Sequence, residues 1–298
     1  MLRAMIVVVT LDPAVHVSYE TKRIVPGQSH PVGRVTYRAG GRGPAVARML
    51  HTFGHEVVAA GLTGGTAGEL IKAELSRVGV PTQFTPIVME SRRVVEVTDV
   101  STATTTSFAE PSPYITTEEL GRLAIDYLGL LDGATAVVLC GSLPAGMPEE
   151  IYGSFVSYAA GAGVPVILEA GGNALRHAAA RGPALVIPDA GGDPAALVQP
   201  GGPTSVVVVD GTAVRALTPA GDWRASPAGG RLDGEAVRDA LVAGFVPGIS
   251  LGWSWPDMLR HAAALAAAVQ PSGAADLAAY ETLLAGVTVT GPGRAGPG

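Results

Sequence analysis

Lysine is nearly missing from this chain: it stands only at positions 22 and 72, and the other basic side chains are arginines. No Lys/Arg cluster forms a stripe that could track a nucleic-acid backbone, and the formal net charge is −6, so a nucleic-acid partner is not expected. Cysteine occurs once, at Cys140, which excludes an internal disulfide and leaves no ligand-spaced neighbours for zinc. Aromatic residues make up only 5%, so the core has to be packed from valine, alanine and leucine. Long apolar runs are absent as well. The apolar opening Met5–Thr10 is too short to span a bilayer and lacks the long h-region and small-residue cleavage site of a signal peptide. The expectation is a soluble cytoplasmic protein with no membrane partner.

What is present is enough chain, 298 residues, to bury a substantial core. Short Val-rich runs alternate with helical patterns over most of the length. Strands are expected over 5–10, 56–61, 136–140, 164–169, 184–188 and 205–209. Helices are expected over 43–53, 67–78, 117–131, 148–162, 239–245, 255–269 and 275–284. The helix at 117 opens with the capping pattern Thr116-Thr117-Glu118-Glu119. Apolar strands alternating with helices predict an α/β fold with three layers and a mainly parallel central sheet. Residues 15–39 and 83–108 break the alternation. Their half-polar β pattern (Arg34-Val35-Thr36-Tyr37; Arg93-Val94-Val95-Glu96-Val97) suits a small β lid over the carboxyl ends of the main strands, where open α/β folds hold ligands. Residues 1–290 are read as one domain, and the Gly/Pro-rich stretch 291–298 as a disordered tail.

Several strings carry more than composition. Residues 38–48 (RAGGRGPAVAR) run a glycine cluster into a helix, where backbone can approach a ligand and a helix start favours anions. Residues 10–19 (TLDPAVHVSY) form a strand exit. Residues 140–148 (CGSLPAGMP), Glu110-Pro111-Ser112-Pro113 and 283–289 (LLAGVTV) follow. Residues 233–242 (DGEAVRDALV) read as a polar, glycine-bearing approach to a helix that Asp239 opens. In this order, over roughly residues 5 to 290, these strings resemble the motifs of the ribokinase-like (PfkB) carbohydrate kinases, in the form found among 1-phosphofructokinases and tagatose-6-phosphate kinases.

The resemblance implies a ribokinase-like fold, a small-molecule sugar or sugar-phosphate substrate, ATP with Mg²⁺, and a homodimer paired through the lids. It makes Asp239 the general base that takes the proton of the acceptor hydroxyl. It also puts Gly40, Gly41, Glu110, Ser142, Asp12 and His16 against the substrate. Arg42 and Arg92 match basic positions that hold a substrate's existing phosphate, so the two are expected to converge on one anionic group. The chain departs from the family at polar positions. Asp12 stands where relatives have Asn, and His16 where they have a hydroxyl-binding Asp. Two further Asn positions are Ala45 and Ala109, and the strand-end Asp is Glu169. The Lys-Pro-Asn…Glu segment tied to metal and phosphates is Ile187-Pro188-Asp189, with Gly192 near the Glu position and Asp193 one place on. The nucleotide region reads Val208-Val209-Asp210-Gly211. The Gly-Ala-Gly whose amides face the moving phosphoryl has become Ala236-Val237-Arg238.

Each position also has a plainer reading. Arg48, on a helix, suits a salt bridge. His16 suits a polar surface group, Cys140 the core, and Trp223, Trp253 and Trp255 packing around the last helices. The Arg238 side chain either substitutes a cation for lost backbone donors or fills the phosphoryl pocket. Glycine replaced at 236 and 238 resists a positive φ by roughly 1–2 kcal/mol each. Three readings follow: a kinase with an altered acceptor, a kinase-fold protein that binds a small molecule without phosphotransfer, and an enzyme repurposed for other chemistry in the same cleft. No residue is assigned as a metal ligand from the sequence.

Overall fold

The computed structural model describes residues 5–189, 194–198, 201–228, 232–270 and 272–292. Of the sequence-based expectations, those at Gly192, Asp193 and most of the 291–298 tail lie outside these residues.

The chain opens with β1 (Met5–Thr10), β2 (Ala14–Thr21), β3 (Arg34–Gly40), α1 (Arg42–Thr52), β4 (Val57–Gly64), α2 (Gly65–Arg77) and β5 (Thr82–Ile87). Next come β6 (Arg93–Asp99), β7 (Thr104–Ala109), α3 (Thr117–Leu131), β8 (Ala134–Cys140), α4 (Ile151–Gly161), β9 (Val166–Ala170), α5 (Gly172–Ala179) and β10 (Leu185–Pro188). The last part holds β11 (Val206–Asp210), β12 (Ala213–Thr218), β13 (Gly221–Ser226), α6 (Glu235–Leu251), α7 (Trp255–Ala268), α8 (Leu277–Gly286) and β14 (Thr288–Thr290).

Ten strands form one sheet in the order β14-β13-β12-β11-β10-β9-β8-β1-β4-β5. From β5 to β11 every pairing is parallel, while β11 to β14 pair antiparallel. Strand side chains alternate between the two faces. Ile6, Val8, Ala136 and Val138 therefore pack with α1, α2, α6 and α7, whereas Val7, Val9, Val137 and Leu139 pack with α3, α4 and α5. This is the expected three-layer α/β architecture.

A second sheet has the order β3-β2-β6-β7. The sequence placed residues 83–108 wholly in this small sheet, and that boundary is corrected here: β5 pairs in parallel with β4 at the edge of the main sheet. Periodicity could not separate the two, because β5 lies at an edge and exposes alternate side chains, as a lid strand does. The meander β12–β13 and the helix α5 carry weak signals, short and polar or glycine-led, and were missed. The α3 helix has the expected bounds, and its capping box forms: Glu119 donates its amide to Thr116 Oγ1 while its carboxylate accepts from the Thr116 amide.

Candidate active site

The main parallel strands end on one edge, and their exits deliver the chemistry. Asp12 follows β1, Gly141 and Ser142 follow β8, Glu169 closes β9 and Asp189 follows β10. The four-stranded sheet adds His16, Ser18, Thr36, Arg38, Val94 and Glu96 from above. Together they enclose a cavity of about 1070 Å³, also lined by Gly40, Gly41, Arg42, Arg92, Ala236 and Asp239. A second cavity, about 470 Å³, is lined by Asp189, Asp210, Arg215, Val237 and Arg238. Asp189 and the first turns of α6 border both.

Asp239 is buried, and Arg42 holds it. The Arg42 Nη1 lies 3.3 Å from Asp239 Oδ1, and its Nε lies 2.9 Å from Glu169 Oε1. Burial pushes the Asp239 carboxyl up to about 6 against the pull of Arg42. It pushes Glu169 up to about 7, with Arg42 opposing and Asp239 reinforcing the rise. One guanidinium is shared between two carboxylates, so it offsets desolvation only in part. The Arg42 charge is itself stabilised: burial opposes it, but Glu169 and Asp239 together raise its pKa.

Asp12 anchors the other end. Its Oδ2 lies 3.0 Å from Arg92 Nε and accepts from Ser112 Oγ at 2.7 Å and Ser142 Oγ at 3.4 Å. Its Oδ1 is buried with no hydrogen-bond partner. His16 lies against Gly40, where a Cβ would enter the imidazole ring, which is why that position carries glycine. Burial lowers the His16 pKa despite the neighbouring Glu96, so the ring is neutral near pH 7.

The helix start is corrected by four residues. α6 begins at Glu235, and Asp239 sits just past its first turn. Gly234 caps the helix with φ 90°, without a side-chain cap. The Arg238 amide donates back to the Gly234 carbonyl at 3.5 Å, so the amides left without intrahelical acceptors are those of Glu235, Ala236 and Val237. The positive φ needed at this turn falls on Gly234, and neither Ala236 nor Arg238 adopts one. The strain expected from replacing glycine at those two positions is absent.

Other predicted residues scatter. Glu110 is exposed, accepts from the Arg93 amide at 2.8 Å and does not line the large cavity, contrary to its expected place against substrate. Gly211 makes the β11–β12 turn with φ 64° and stays off the second cavity, while Asp210 lines it and pairs with Arg224 at 2.5 Å. Arg42 and Arg92 both line the large cavity but are engaged by separate carboxylates. Arg48 binds Glu74 and the Ala39 carbonyl. Cys140 is core, and burial raises its thiol pKa. Residues not given a role from the sequence are Glu169, Ser112, Glu96 and Glu235. Glu169, Ser112 and Glu235 stand at positions already matched to the family, and Glu96 in the half-polar lid pattern.

The model of the pfkB family of carbohydrate kinases matches residues 4–219. The chain belongs to that family. Among solved structures it is similar to a possible 1-phosphofructokinase from Thermotoga maritima, 24% identical with 97% of this chain and 99% of that one covered, TM-score 0.84. It is also similar to a putative phosphofructokinase from Staphylococcus aureus, 22% identical over 96% and 98% of the chains, TM-score 0.82. A third is phosphofructokinase-2 from Escherichia coli in complex with fructose-6-phosphate, 21% identical over 96% and 99%, TM-score 0.82. These likenesses show the fold.

PfkB sugar kinases use ATP, generally with a divalent metal. The residues of this family member fit that requirement. The uncapped amides of α6 and the buried, unpartnered Arg238 Nε suit phosphate oxygens at the second cavity. Among the described residues no group of three or more His, Cys, Asp or Glu is placed to hold a metal. A magnesium ion carried by phosphates takes only one or two carboxylates, and Asp189 and Glu169 both line the large cavity. Among the described residues no helix is long and apolar enough to cross a membrane.

Proposed function

We propose that this chain is an ATP-dependent kinase acting on a hydroxyl of a sugar or related polyol, with Asp239 as general base. The carrying observation is the meeting of the two cavities at Asp189 and the first turns of α6, with the Asp239 carboxylate on the acceptor side. The acceptor lies in the large cavity against Asp12, His16, Ser142, Gly40 and Gly41. The nucleotide lies in the smaller one against Arg238, Asp210 and the amides around Ala236 and Val237.

When bound, ATP would supply the phosphoryl group and a divalent ion would neutralise its oxygens. Asp189 and Glu169 would hold that ion. Asp239 accepts the hydroxyl proton onto its carboxylate, and a pKa of about 6 leaves it deprotonated at neutral pH yet basic enough to take the proton. Arg42 positions that carboxylate. The free amides of Glu235, Ala236 and Val237 would donate to the oxygens of the phosphoryl group. The inactive reading rested on the changes at Ala236, Arg238, Ile187 and Gly192, and of these the strain expected at Ala236 and Arg238 is absent.

The protein forms a homodimer through its four-stranded sheet, whose outer face exposes Val35, Tyr37 and Phe108. ADP release with MgATP and a panel of sugars and polyols tests the kinase reading. Turnover with at least one acceptor, lost in Asp239→Asn, is the expected result; ATP binding without any transfer refutes it.

A further inference from the structure

We infer that the acceptor is uncharged: a polyhydroxylated molecule without the phosphate that the anchor arginines, by resemblance, would hold. This rests on the kinase reading and narrows it.

The two arginines expected to grip a phosphate are already neutralised from inside the protein. Arg92 is paired with Asp12, whose side chain is 3% exposed, and Arg42 with Glu169 and Asp239, at 1% and 11%. A ligand phosphate could take either guanidinium only by leaving a buried carboxylate without its cation, which is strongly unfavourable. The third arginine of the cavity, Arg38, is exposed at the rim and donates to the Ser272 carbonyl. Against these three arginines the cavity carries seven aspartate or glutamate side chains and no lysine. The field inside repels an anion rather than drawing one in.

Three buried atoms of the lining make no hydrogen bond: Arg92 Nε and Glu169 Oε1, each held in an ion pair, and Asp12 Oδ1, an acceptor with no cation of its own. Asp12 Oδ1 is buried, lines the cavity with its residue, and receives no hydrogen bond, whereas its Oδ2 accepts from two serine hydroxyls and is ion-paired with Arg92. A carboxylate oxygen in that state is completed by a donor, and the uncharged donor of a sugar is a hydroxyl. The neutral His16 ring supplies a second uncharged contact beside it.

Calorimetric titration of the full chain with fructose, ribose, glucose and myo-inositol, and with fructose 6-phosphate and ribose 5-phosphate, tests this. At least one uncharged compound is expected to bind, and fructose and ribose to bind ~10-fold or more tightly than their own esters if either binds. Asp12→Asn, which releases Arg92, is expected to weaken the uncharged ligand and to gain ester binding. Tighter binding of an ester than of its parent sugar by the wild-type chain overturns the inference, as does failure of every uncharged compound to bind. ADP release is read separately. Binding of an uncharged sugar without ADP release refutes the kinase reading and supports the acceptor class; ADP release with the esters alone does the reverse.

Discussion

At the scale of single residues the site turns on one arginine between two acids. Arg42→Ala leaves Asp239 and Glu169 buried without a cation, and a loss on the order of 3–5 kcal/mol of stability is expected by chemical denaturation. Asp239→Asn keeps the size of the side chain but cannot accept the proton. It is expected to lower kcat by about 10²–10⁴ while the fold and acceptor binding persist. The acid limb of the rate profile should fall near pH 6, where Asp239 protonates, with activity rising as pH increases through that value. Stability runs the other way. A carboxyl whose folded pKa is raised, here from 3.8 to about 6 for Asp239 and from 4.5 to about 7 for Glu169, binds protons more tightly when folded. Its stabilising contribution is present below pH 4 and is lost as pH rises through 6 to 7, by on the order of 3 kcal/mol per group. Melting temperatures of wild type and Glu169→Gln across pH 4 to 8 check this: the variant should show the shallower fall, and identical slopes would remove Glu169 as the cause. Glu169 and Asp12 were visible in the sequence as charges near apolar strands, but the pairing of Arg42 with Glu169 and Asp239, and of Arg92 with Asp12, was not, since partners such as 42 and 239 meet only through the sheet.

At the scale of elements, α6 decides where the amides point. Gly234→Ala forces a Cβ onto a φ of 90° and is expected to cost about 1–2 kcal/mol and to reduce phosphotransfer together, because the first turn must reorient. A control of similar size is Thr116→Ala, which removes the α3 capping box and lines neither cavity; about 1 kcal/mol of stability should go with kcat unchanged. Circular dichroism melts and ADP-release rates on both variants separate the two effects. Gly244 serves packing instead, since a Cβ there would lie 2.6 Å from the Ala262 Cα on α7. The sequence suggested a helix opening at Asp239 because the unbroken apolar run starts only after it, whereas residues 235–238 mix two charged with two apolar side chains. That first turn lines the cavities and adds only Val237 to the core, so the hydrophobic period that marks a helix starts late.

For the whole molecule, the four-stranded sheet leaves large side chains uncovered on one face, with Tyr37 56% and Phe108 61% exposed. Light scattering is expected to give twice the 30.1 kDa chain mass at micromolar concentration, and Tyr37→Glu combined with Phe108→Glu to return it to the monomer. A wild-type monomer would leave that apolar face to another role. The lid itself was legible as a break in strand–helix alternation, while the membership of β5 was not. An edge strand and a lid strand share one alternating pattern, and only hydrogen-bond partners tell them apart.

The sequence by itself determined the class of fold, the boundaries of β1 and α3, the family and the aspartate at 239. Those follow from local periodicity, capping chemistry and ordered motifs, all of which act over a few residues. The tertiary structure decided the rest: that Gly234 carries the backbone turn so that Ala236 and Arg238 are unstrained, and that Arg42 and Arg92 answer to carboxylates of this chain. It also left Asp12 Oδ1 a buried acceptor without a donor. Ion pairing and burial depend on distances across the sheet, and a linear order of residues does not contain those distances.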